Sequence, residues 1–380
     1  MDLRLLPAHL QGSLTPPSSK SLTHRYLLGA ALSGGKNRLE NLAEGEDIAA
    51  TRRCLSALAE GDDGLLDCGA SGSTLRFLIP TALALRGGGR FTGTPRLMER
   101  SLEPYFALFR DRGIAHSLQD GVLTLSGTLS PGDYALRGEL SSQFATGLLF
   151  ALPLLEAPSV LHWTTPPVSR SYLSLTEEVL RHFDVWVQRR EDGYFIPGRQ
   201  RFSPVDTAIE GDWSAAACWE IANRLGGDIA LTGLNPASLQ GDRAVLTLPG
   251  QPDIDATDCP DLVPLLALYA ALQGGKTTTI TGAARLRDKE SDRLTATAEL
   301  LNTLGGAVTE TGDGLHIRGV ERLHGGSVSA RGDHRLAMLA AIAATAAEEP
   351  IVLQGGDCVA KSYPDFWRDY TRLGGRVEEV

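Results

Sequence analysis

One pattern recurs along this chain and constrains its fold more than any other feature. A polar stretch rich in hydroxyl or charged residues leads into an apolar segment of helical length, then a glycine or acidic turn, then a short β-branched stretch. The pattern occurs in six copies, spaced by roughly fifty to seventy residues. The copies begin at Ser18, Ser71, Ser141, Asp212, Pro260 and Arg331. Such a repeat predicts similar modules in which helices and strands alternate, and therefore an α/β fold.

The first copy shows what chemistry the polar ends offer. From Ser18 to Arg25 it reads Ser-Ser-Lys-Ser-Leu-Thr-His-Arg. Hydroxyl groups at a helix start accept hydrogen bonds from first-turn amides, and the helix dipole favours an anion there. Lys20 and Arg25 add two cations, so the stretch is suited to a phosphate or carboxylate. A single such stretch is better explained as an ordinary capped helix, but its repetition indicates a site where the polar ends of the copies meet.

Bulk properties exclude several classes of protein. A chain of 380 residues can form two domains with full cores. The net charge of −10 argues against a general nucleic-acid binder, so any anion site must be a local cluster of cations. The five cysteines are scattered and lack CxxC spacing, which favours reduced thiols and a cytoplasmic location. No apolar run reaches membrane-spanning length, and no signal-peptide pattern follows Met1, so we expect no membrane partner.

Local periodicity completes the expected order of elements. Amphipathic helices are predicted over 103–112, 174–183 and 294–304. Short apolar or alternating segments predict strands at 122–125, 185–187, 194–196, 307–309 and 315–317. Residues 197–210 are polar and typical of a loop, so we expect the chain to cross between two domains near 210–212.

The densest run of charge lies between Arg285 and Arg293, after a predicted strand and before a predicted helix. Glu290 and Arg293 are spaced i, i+3 and are expected to share a helix face. That would hold a carboxylate beside a cation, which suits proton transfer next to an anionic ligand. A solvated charged turn is the alternative. His334 and Lys361 are further candidates, although a structural histidine and a turn lysine explain them as well.

Several familiar motifs are missing from the sequence. Gly274-Gly275-Lys276-Thr277 ends like a P-loop, but it lacks the upstream glycine and follows a predicted helix. The glycine run 87–89 lacks the spacing of a dinucleotide-binding loop. HExxH, paired CxxC, EF-hand and GxSxG patterns do not occur, so the sequence gives no support to a protein-held metal or a nucleophile elbow.

Considered together, the motifs resemble those of the EPSP synthases, the 3-phosphoshikimate 1-carboxyvinyltransferase family. Residues 19–25, Ser-Lys-Ser-x-Thr-x-Arg, look like the N-terminal signature of the family, and residues 70–76 are similar to its Asn-Ala-Gly-Thr-x-x-Arg loop. The remaining motifs follow in the family's order at 94–100, 141–143, 168–172, 260–261, 288–293, 333–335 and 361–365. The resemblance therefore runs from one end of the chain to the other.

The resemblance implies a two-domain enolpyruvyl transferase fold of the α/β (α+β) class. Each domain would contain three βαβαββ units, and the active site would lie in the inter-domain cleft. A domain on the shikimate 3-phosphate side would span 19–210. A discontinuous domain, 1–18 plus 211–380, would carry the catalytic carboxylates and part of the phosphoenolpyruvate site.

The resemblance also implies a reaction. The enolpyruvyl group of phosphoenolpyruvate would move to the 5-hydroxyl of shikimate 3-phosphate with release of phosphate, through a tetrahedral intermediate and without a metal or organic cofactor. This step belongs to the shikimate pathway of chorismate and aromatic amino-acid biosynthesis. We expect a cytoplasmic monomer that acts on these two small molecules and has no nucleic-acid or membrane partner.

The family's functional residues map onto matching positions of this chain. The catalytic candidates are Lys20, Asp261, Glu290 and His334. The expected shikimate 3-phosphate ligands are Lys20, Ser21, Arg25, Ser141, Ser142, Gln143, Ser169, Tyr172, Asp261 and Lys289. The expected phosphoenolpyruvate ligands are Lys20, Gly72, Arg96, Gln143, Arg293, Arg335 and Lys361. Asp261 would act as base at the 5-hydroxyl and Glu290 would protonate C3, with Lys20 sharing either transfer and His334 orienting ligand or Glu290.

Three positions depart from the family pattern. Ser18 stands where a glycine is usual, Ala70 where asparagine is frequent, and Arg285 where some members have asparagine near the shikimate phosphate. Gly72 leaves room beside the enol site, so glyphosate is a candidate inhibitor. One rival is the sister transferase acting on UDP-N-acetylglucosamine, which generally has a loop cysteine near 94–100 that this chain lacks. A non-catalytic anion-binding protein on the same fold is the other rival.

Overall fold

The computed structural model describes residues 1–60 and 64–380. By its internal contacts the chain divides into two compact units. We call Lys20–Ile209 the inserted unit, and Met1–Ser19 with Glu210–Val380 the split unit. Within the described ranges, no helix has both the length and the apolar character needed to cross a membrane.

The elements follow in chain order. The split unit begins with β1 (Leu3–Leu6) and β2 (Gln11–Leu14). The inserted unit contains α1 (Lys20–Ser33), β3 (Arg38–Glu40), α2 (Glu46–Glu60), β4 (Leu65–Asp67), α3 (Gly72–Arg86), β5 (Gly88–Thr92), α4 (Pro95–Glu99), α5 (Glu103–Asp111), β6 (Ala115–Gln119), β7 (Val122–Ser126), β8 (Asp133–Arg137), α6 (Ser142–Ala151), β9 (Ser159–Thr165), α7 (Arg170–His182), β10 (Gln188–Arg190), β11 (Gly193–Ile196) and β12 (Asp206–Ala208). The split unit resumes with α8 (Trp213–Arg224), β13 (Asp228–Leu231), β14 (Asp253–Asp255), α9 (Val263–Ala271), β15 (Thr277–Thr281), α10 (Arg293–Thr303), β16 (Ala307–Glu310), β17 (Leu315–Arg318), β18 (Gly326–Ser329), α11 (His334–Ala346), β19 (Ile351–Gln354), α12 (Phe366–Arg372) and β20 (Arg376–Glu379).

The repeated helices belong to six modules, each built on a parallel pair of strands. Over the described ranges the strands form six sheets, three in each unit. Their parallel pairs are β3/β12, β4/β5, β8/β9, β2/β13, β14/β15 and β18/β19. In each pair a helix ends shortly before one of the two strands: α1 before β3, α3 before β5, α6 before β9, α8 before β13, α9 before β15 and α11 before β19. These are the helices of the six sequence copies, so the predicted repeat and the α/β class are confirmed.

Four of the sheets share one strand order. In β4-β5-β7-β6, β8-β9-β11-β10 and β14-β15-β17-β16, the parallel pair is extended by an antiparallel hairpin. In the fourth, β18-β19-β1-β20, the N-terminal strand β1 takes the inner place between β19 and β20. The third module of each unit contains only the parallel pair, β3/β12 in the inserted unit and β2/β13 in the split unit.

These two small sheets combine strands and helices from distant parts of the chain. Strand β2 ends at Leu14, yet the helix preceding its partner is α8. Strand β12 ends at Ala208, yet the helix preceding its partner is α1. The connecting segments pair in opposite directions at Ser18 and Gly211. In addition, the Ser19 amide donates to the Glu210 carbonyl over 2.8 Å. Ser18 is thus buried and pairs through its backbone with Gly211.

Two local predictions fail. The polar composition predicts a loop over 197–210, but Asp206–Ala208 form β12, whose pairing with β3 supplies backbone hydrogen bonds that a three-residue sequence cannot signal. The strand expected at 185–187 begins instead at Gln188. Val185 is buried in the core that follows α7, so its apolar character reflects packing and not a strand.

Polar side chains start the helices as the sequence predicts. Ser71 Oγ accepts from the Thr74 amide, and Asp212 Oδ1 accepts from the Ala215 amide over 2.9 Å. Asp333 Oδ1 accepts from the Arg335 amide over 3.0 Å. Such caps satisfy first-turn donors that the helix itself leaves unpaired. They also fix which residues stand at the polar end of each module.

Close packing of α3 against α6 positions one part of the candidate site. Gly147 lies on α6, where an added Cβ would be 2.5 Å from both the Arg76 carbonyl oxygen and the Tyr105 hydroxyl oxygen. The Tyr105 hydroxyl also bridges the two helices, donating to the Arg76 carbonyl over 2.7 Å. The two helices therefore need glycine at this position to approach each other.

We predict that Gly147→Ala destabilises the inserted unit by about 1–3 kcal/mol, because the methyl group forces α3 and α6 apart in a close-packed core. Thermal unfolding followed by circular dichroism measures the effect. Gly312→Ala is the matched control, since an added Cβ there meets nothing within 4 Å. Equal melting temperatures for the two variants would refute this account of the packing.

Candidate active site

Lys20 stands at the start of α1, and a carboxylate from α2 anchors it. The Lys20 ammonium lies 3.0 Å from Asp47 Oδ2, and the Asp47 side chain is almost fully buried. Thr51, one turn after Asp47, contacts His24 Nδ1 over 2.7 Å and so joins the same two helices. The ammonium is therefore held at a helix start, where the dipole adds to its attraction for an anion.

Arg25 is buried one turn further along α1. Its guanidinium donates to the Ser21 carbonyl over 2.7 Å, to Thr176 Oγ1 over 2.9 Å and to the Tyr172 carbonyl over 3.2 Å. Burial lowers the pKa of Arg25 to about 10. These bonds tie α1 to α7, so Arg25 braces the helix starts that carry Ser21 and Tyr172. Its expected contact with shikimate 3-phosphate stays a prediction.

Gln143 is oriented by two residues of α3. Its Oε1 accepts from Arg76 Nη1 over 2.8 Å, and its Nε2 donates to Ser73 Oγ over 3.0 Å. Ser141 caps α6 by accepting from the Gln143 amide over 3.3 Å. The starts of α3 and α6 therefore lie side by side, with a guanidinium between them.

Gly72 begins α3 in the immediate neighbourhood of two arginines. A Cβ at this position would lie 2.8 Å from Arg100 Nη1 and 3.0 Å from Arg76 Nη1. Arg96 is exposed on the short helix α4, four residues before Arg100. First-turn amides at a helix start beside guanidinium groups form a suitable environment for a phosphate or carboxylate.

The remaining predicted residues of the inserted unit also lie at helix starts. Ser142 is buried at the start of α6. Ser169 immediately precedes α7, is buried and has φ of 53°, in the left-handed region. Tyr172 follows in the first turn of α7, and its amide donates to the Ser169 carbonyl over 3.0 Å. The structure thus brings the hydroxyl-bearing candidates onto the polar ends of α1, α6 and α7.

The split unit is organised around Arg293, whose side chain is 2% exposed. Its Nη1 lies 2.9 Å from Asp261 Oδ1, its Nη2 2.7 Å from Glu290 Oε2 and its Nε 2.8 Å from Asp333 Oδ2. Burial acts to lower the pKa of Arg293, but the three carboxylates outweigh it and raise that pKa. Arg293 is therefore a buried cation neutralised by acids from three separate segments.

Glu290 and Arg293 interact, but not in the way the spacing predicted. Helix α10 begins at Arg293, with Asp292 as its N-cap. Glu290 thus precedes the helix, and the expected shared helix face does not exist. The contact forms because the chain turns at 289–292 before entering α10, which sets the Glu290 carboxylate against the first helical side chain.

Lys361 approaches the same carboxylate from another element. It ends the short 3₁₀ helix Gly356–Lys361, and its Nζ lies 3.8 Å from Glu290 Oε1. His334 is buried at the start of α11, directly after the cap Asp333. The Asp333 carboxylate is therefore shared by the α11 start and by Arg293.

Asp261 is flanked by two guanidinium groups. Arg293 contacts its Oδ1, and Arg335 Nη2 lies 3.2 Å from its Oδ2. Burial acts to raise the pKa of Asp261, but Arg335, Arg293 and Lys289 outweigh it and hold that pKa well below its usual range. A carboxylate so stabilised is a good hydrogen-bond acceptor and a weak base.

Arg285 serves a structural purpose within the split unit. Its guanidinium donates to the carbonyls of Gly282 over 2.9 Å and Ala256 over 3.4 Å, and also to that of Thr257. These contacts brace the turn after β14, shortly before Asp261. The long Arg285 side chain thus links two backbone segments of the split unit.

Four buried residues of these clusters were not selected from the sequence. Asp47, Arg76, Arg100 and Asp333 each contact or adjoin a predicted site residue. Asp333, Arg76 and Arg100 lie inside the motifs that resemble the family's, and for Asp333 and Arg76 the position at a helix start was a further signal. Asp47 is 27 residues from Lys20, so only the fold reveals that pair.

The polar atoms present suit anion binding more than metal binding. In the part of the chain that the structure describes, no group of three or more His, Cys, Asp or Glu side chains is arranged to hold a metal ion. The inserted unit offers cations, hydroxyls and helix-start amides. The split unit offers cations interleaved with carboxylates that can accept hydrogen bonds or handle protons.

Comparison with known proteins gives a consistent result. A family model described as EPSP synthase (3-phosphoshikimate 1-carboxyvinyltransferase) matches residues 6–251 and 249–370. A protein of that name from Clostridium kluyveri is 41% identical over 415 residues, covering 98% of this chain and 97% of its own. Another, from Clostridium acetobutylicum, is 40% identical over 421 residues, covering 99% and 98%.

Solved structures show the same fold. EPSP synthase from Acinetobacter baumannii superposes with a TM-score of 0.80 at 24% identity and full coverage of both chains. The enolpyruvyl transferase NikO from Streptomyces tendae gives 0.79 at 19% identity, covering 100% of this chain and 98% of its own. The whole chain is therefore similar to enolpyruvyl transferases in fold, and in sequence to the relatives named above.

We predict that the stabilising effect of Asp261 disappears in acid. Because its pKa is depressed in the folded protein, its contribution is present above the unfolded-state pKa of about 3.9 and is lost as the pH falls below it. At about pH 7, Asp261→Asn should lower the free energy of unfolding by about 3 kcal/mol, since Arg293 and Arg335 lose their shared counter-charge.

Denaturant unfolding at several pH values measures this difference. The difference in unfolding free energy between wild type and Asp261→Asn should decrease steadily below about pH 4. The exposed substitution Asp253→Asn, on β14 of the same unit, is the control and should show no such trend. A difference in unfolding free energy that does not change with pH would contradict the depressed pKa of Asp261.

Proposed function

This chain belongs to the EPSP synthase family, and from that membership we propose that its two sets of polar residues act on the same pair of substrates, phosphoenolpyruvate and shikimate 3-phosphate. The family match over nearly the whole chain is the observation that carries the proposal. The reaction transfers the enolpyruvyl group to the 5-hydroxyl of shikimate 3-phosphate and releases phosphate.

Shikimate 3-phosphate is assigned mainly to the inserted unit. Its phosphate and carboxylate need cations and donors, which Lys20, Arg25 and the serines at the starts of α1, α6 and α7 supply. Gln143, held by Arg76 and Ser73, presents a fixed amide to the ring hydroxyls or to phosphoenolpyruvate. Lys289 and Asp261 of the split unit complete this set.

Phosphoenolpyruvate is assigned to the cations of both units. In the inserted unit these are Lys20 and Arg96, with the α3 start at Gly72. In the split unit they are Arg293, Arg335 and Lys361. Arg293 already contacts three carboxylates, so it binds the substrate only by exchanging one of those contacts. Arg335, which contacts the Asp261 carboxylate and a neutral backbone carbonyl, is the better anion ligand of the two.

The chemistry requires balanced proton movements. The 5-hydroxyl oxygen bonds to C2 of phosphoenolpyruvate and loses its proton, while C3 gains one. The tetrahedral intermediate then expels phosphate from C2, and C3 returns a proton as the double bond forms again. Glu290, between Arg293 and Lys361, is the proposed acid and base at C3, with His334 as an orienting residue.

The structure favours a modified role for Asp261. Its depressed pKa makes it a weak base, so we propose that Asp261 orients the 5-hydroxyl as a hydrogen-bond acceptor. Lys20 is then the better candidate to relay the hydroxyl proton: its ammonium, which contacts Asp47, first gives one proton to the departing phosphate and then accepts the proton of the 5-hydroxyl.

One assay separates this proposal from its rivals. Purified protein is mixed with phosphoenolpyruvate and either shikimate 3-phosphate or UDP-N-acetylglucosamine, and phosphate release is measured. Release with shikimate 3-phosphate alone supports the proposal. Release only with the sugar nucleotide would indicate the sister reaction, and release with neither would indicate a non-catalytic anion-binding protein.

We also propose the partners, the cellular location and the oligomeric state of the enzyme. The substrates are two small anions, and the acidic net charge of −10 disfavours nucleic-acid binding. The scattered cysteines favour a reducing cytoplasm. We propose that the protein acts as a monomer, which light scattering at assay concentration tests.

We predict that Glu290→Gln abolishes turnover while sparing shikimate 3-phosphate binding. The amide keeps the shape of the side chain but cannot exchange a proton with C3, so kcat should fall by about 10³-fold or more. Steady-state kinetics and calorimetric titration of shikimate 3-phosphate measure the two effects. Glu299→Gln, on the exposed side of α10, should behave as wild type. A near-normal rate for Glu290→Gln would reject the assignment.

We predict that Gly72→Ala raises the KM for phosphoenolpyruvate. The new methyl group would crowd Arg100 and Arg76, whose nearest nitrogens lie 2.8 and 3.0 Å from the position that the added Cβ would take. A cost of about 1.4 kcal/mol corresponds to a roughly tenfold increase in KM. The KM for shikimate 3-phosphate should change little, and Gly312→Ala again serves as control. Glyphosate is proposed to compete with phosphoenolpyruvate at this site, so its inhibition should weaken in parallel.

A further inference from the structure

A buried aspartate outside the predicted site lies beneath the start of α8. Asp242 belongs to the 3₁₀ helix Gly241–Leu246, and its side chain is buried, with the residue 2% exposed. Its Oδ2 accepts a hydrogen bond from Ser214 Oγ. Its Oδ1 is buried and has no hydrogen-bond partner among the described residues. Nothing in the proposed chemistry so far uses this carboxylate.

Ser214 connects Asp242 to a proposed substrate ligand. Its hydroxyl donates to Asp242, while its backbone carbonyl accepts from Arg335 Nη1 over 3.1 Å. Arg335 is itself buried, and its Nε has no hydrogen-bond partner within the described ranges. A continuous path of two hydrogen bonds thus leads from the carboxylate to the guanidinium.

The path is rigid because Gln240 fixes the start of α8. Its Oε1 accepts from the Trp213 amide over 3.0 Å, and its Nε2 donates to the Gly211 carbonyl over 2.9 Å. Gln240 is two residues before Asp242, so the same backbone segment positions the aspartate and the helix that contacts Arg335. A movement of one element would therefore displace the other.

The charged surroundings of Asp242 have an unusual balance. Negative charge near Asp242 comes from Asp261 and Asp212, and positive charge comes from Arg335. The charge of Asp242 in turn raises the pKa of the nearby Cys259 thiol. Burial and Asp261 raise the pKa of Asp242 to about 7, although Arg335 and the Ser214 hydrogen bond oppose the shift. The carboxyl group therefore holds a proton more readily than Asp261, which two arginines keep ionised.

We propose that Asp242 is a positioning residue for Arg335, acting through Ser214, and that its carboxylate takes up a proton from solvent when an anionic group of phosphoenolpyruvate binds to Arg335. This inference rests on the proposed function. An arriving anion adds negative charge beside Asp242 and Asp261, and Asp261 stays ionised because two arginines hold it. Asp242 is thus the group that can be neutralised, as its carboxylate binds one proton and becomes a carboxylic acid.

The sign of the effect follows from linkage. Binding of the anion favours protonated Asp242, so protons are taken up on binding and affinity falls as the pH rises through about 7. The phosphate of the ligand titrates in the same range and works in the opposite direction. A comparison of wild type with Asp242→Asn cancels that contribution, because both proteins bind the same ligand.

Calorimetry of phosphoenolpyruvate binding tests the inference directly. The ligand is titrated into wild type, Asp242→Asn and the exposed control Asp253→Asn at about pH 7, in two buffers of different ionisation enthalpy. Wild type and Asp253→Asn should take up more protons than Asp242→Asn, by a difference of up to about one per bound ligand. Equal proton uptake by all three proteins would overturn the inference, as would absence of binding to wild type.

Kinetics supplies a second readout that a merely structural role would not move. The quantity to follow is the KM of wild type divided by the KM of Asp242→Asn. For phosphoenolpyruvate this ratio should rise roughly tenfold between about pH 5.5 and about pH 8.5. For shikimate 3-phosphate the ratio should stay constant. Ser214→Ala should raise the KM for phosphoenolpyruvate at every pH. A parallel pH profile for wild type and Asp242→Asn would also overturn the inference.

The two levels of proposal remain distinguishable. If wild type forms no product from the two substrates but shows the difference in proton uptake, the proposed function fails and the role of Asp242 stands. If product forms at a normal rate and the proton difference is absent, the reverse holds. Melting temperatures of the variants are recorded first, and Ser214→Ala provides the kinetic test if Asp242→Asn does not fold.

Discussion

A buried guanidinium is the interaction on which the candidate site of the split unit depends. Arg293 could not be excluded from water without partners, and it obtains them from the 3₁₀ turn before α9, from the turn before α10 and from the cap of α11. The same three carboxylates are thereby fixed in place. Because Asp261 also contacts Arg335 and Glu290 also approaches Lys361, one buried cation orders most of the polar residues of this unit.

The two units handle charge in different ways, which suggests a division of chemical work. In the inserted unit, Asp47 anchors Lys20, while Arg25 and Arg76 donate to hydroxyl, carbonyl and amide groups. Such neutral acceptors hold a guanidinium in place without cancelling its charge, which suits multiply anionic substrates. In the split unit, carboxylates and cations are interleaved: Arg293, Arg335 and Lys361 contact Asp261, Glu290 and Asp333. This arrangement suits a step in which protons move at two atoms.

Much of this organisation could be predicted from the sequence, because capping residues and apolar periodicity are local signals. The six repeated helices and the caps at Ser71, Asp212 and Asp333 follow from such signals. Strand β12 could not be predicted, since three residues carry no periodicity and their pairing partner β3 is distant. The contact of Glu290 with Arg293 was expected for the wrong reason, and Asp47 and Asp242 depend on tertiary contacts that no local pattern encodes.

The N-terminal strand β1 pairs with strands that are made only after the inserted unit, and this has a consequence for synthesis of the chain. The inserted unit is complete once β12 has been made, so it can fold while the C-terminal half is still being translated. Strand β1 has to wait much longer, because both of its neighbours, β19 and β20, come far later in the chain than the inserted unit. During that interval the first few residues present unpaired backbone edges, a form of exposure that invites misassociation. Loss of only the final strand would leave β1 with one exposed edge in the finished enzyme.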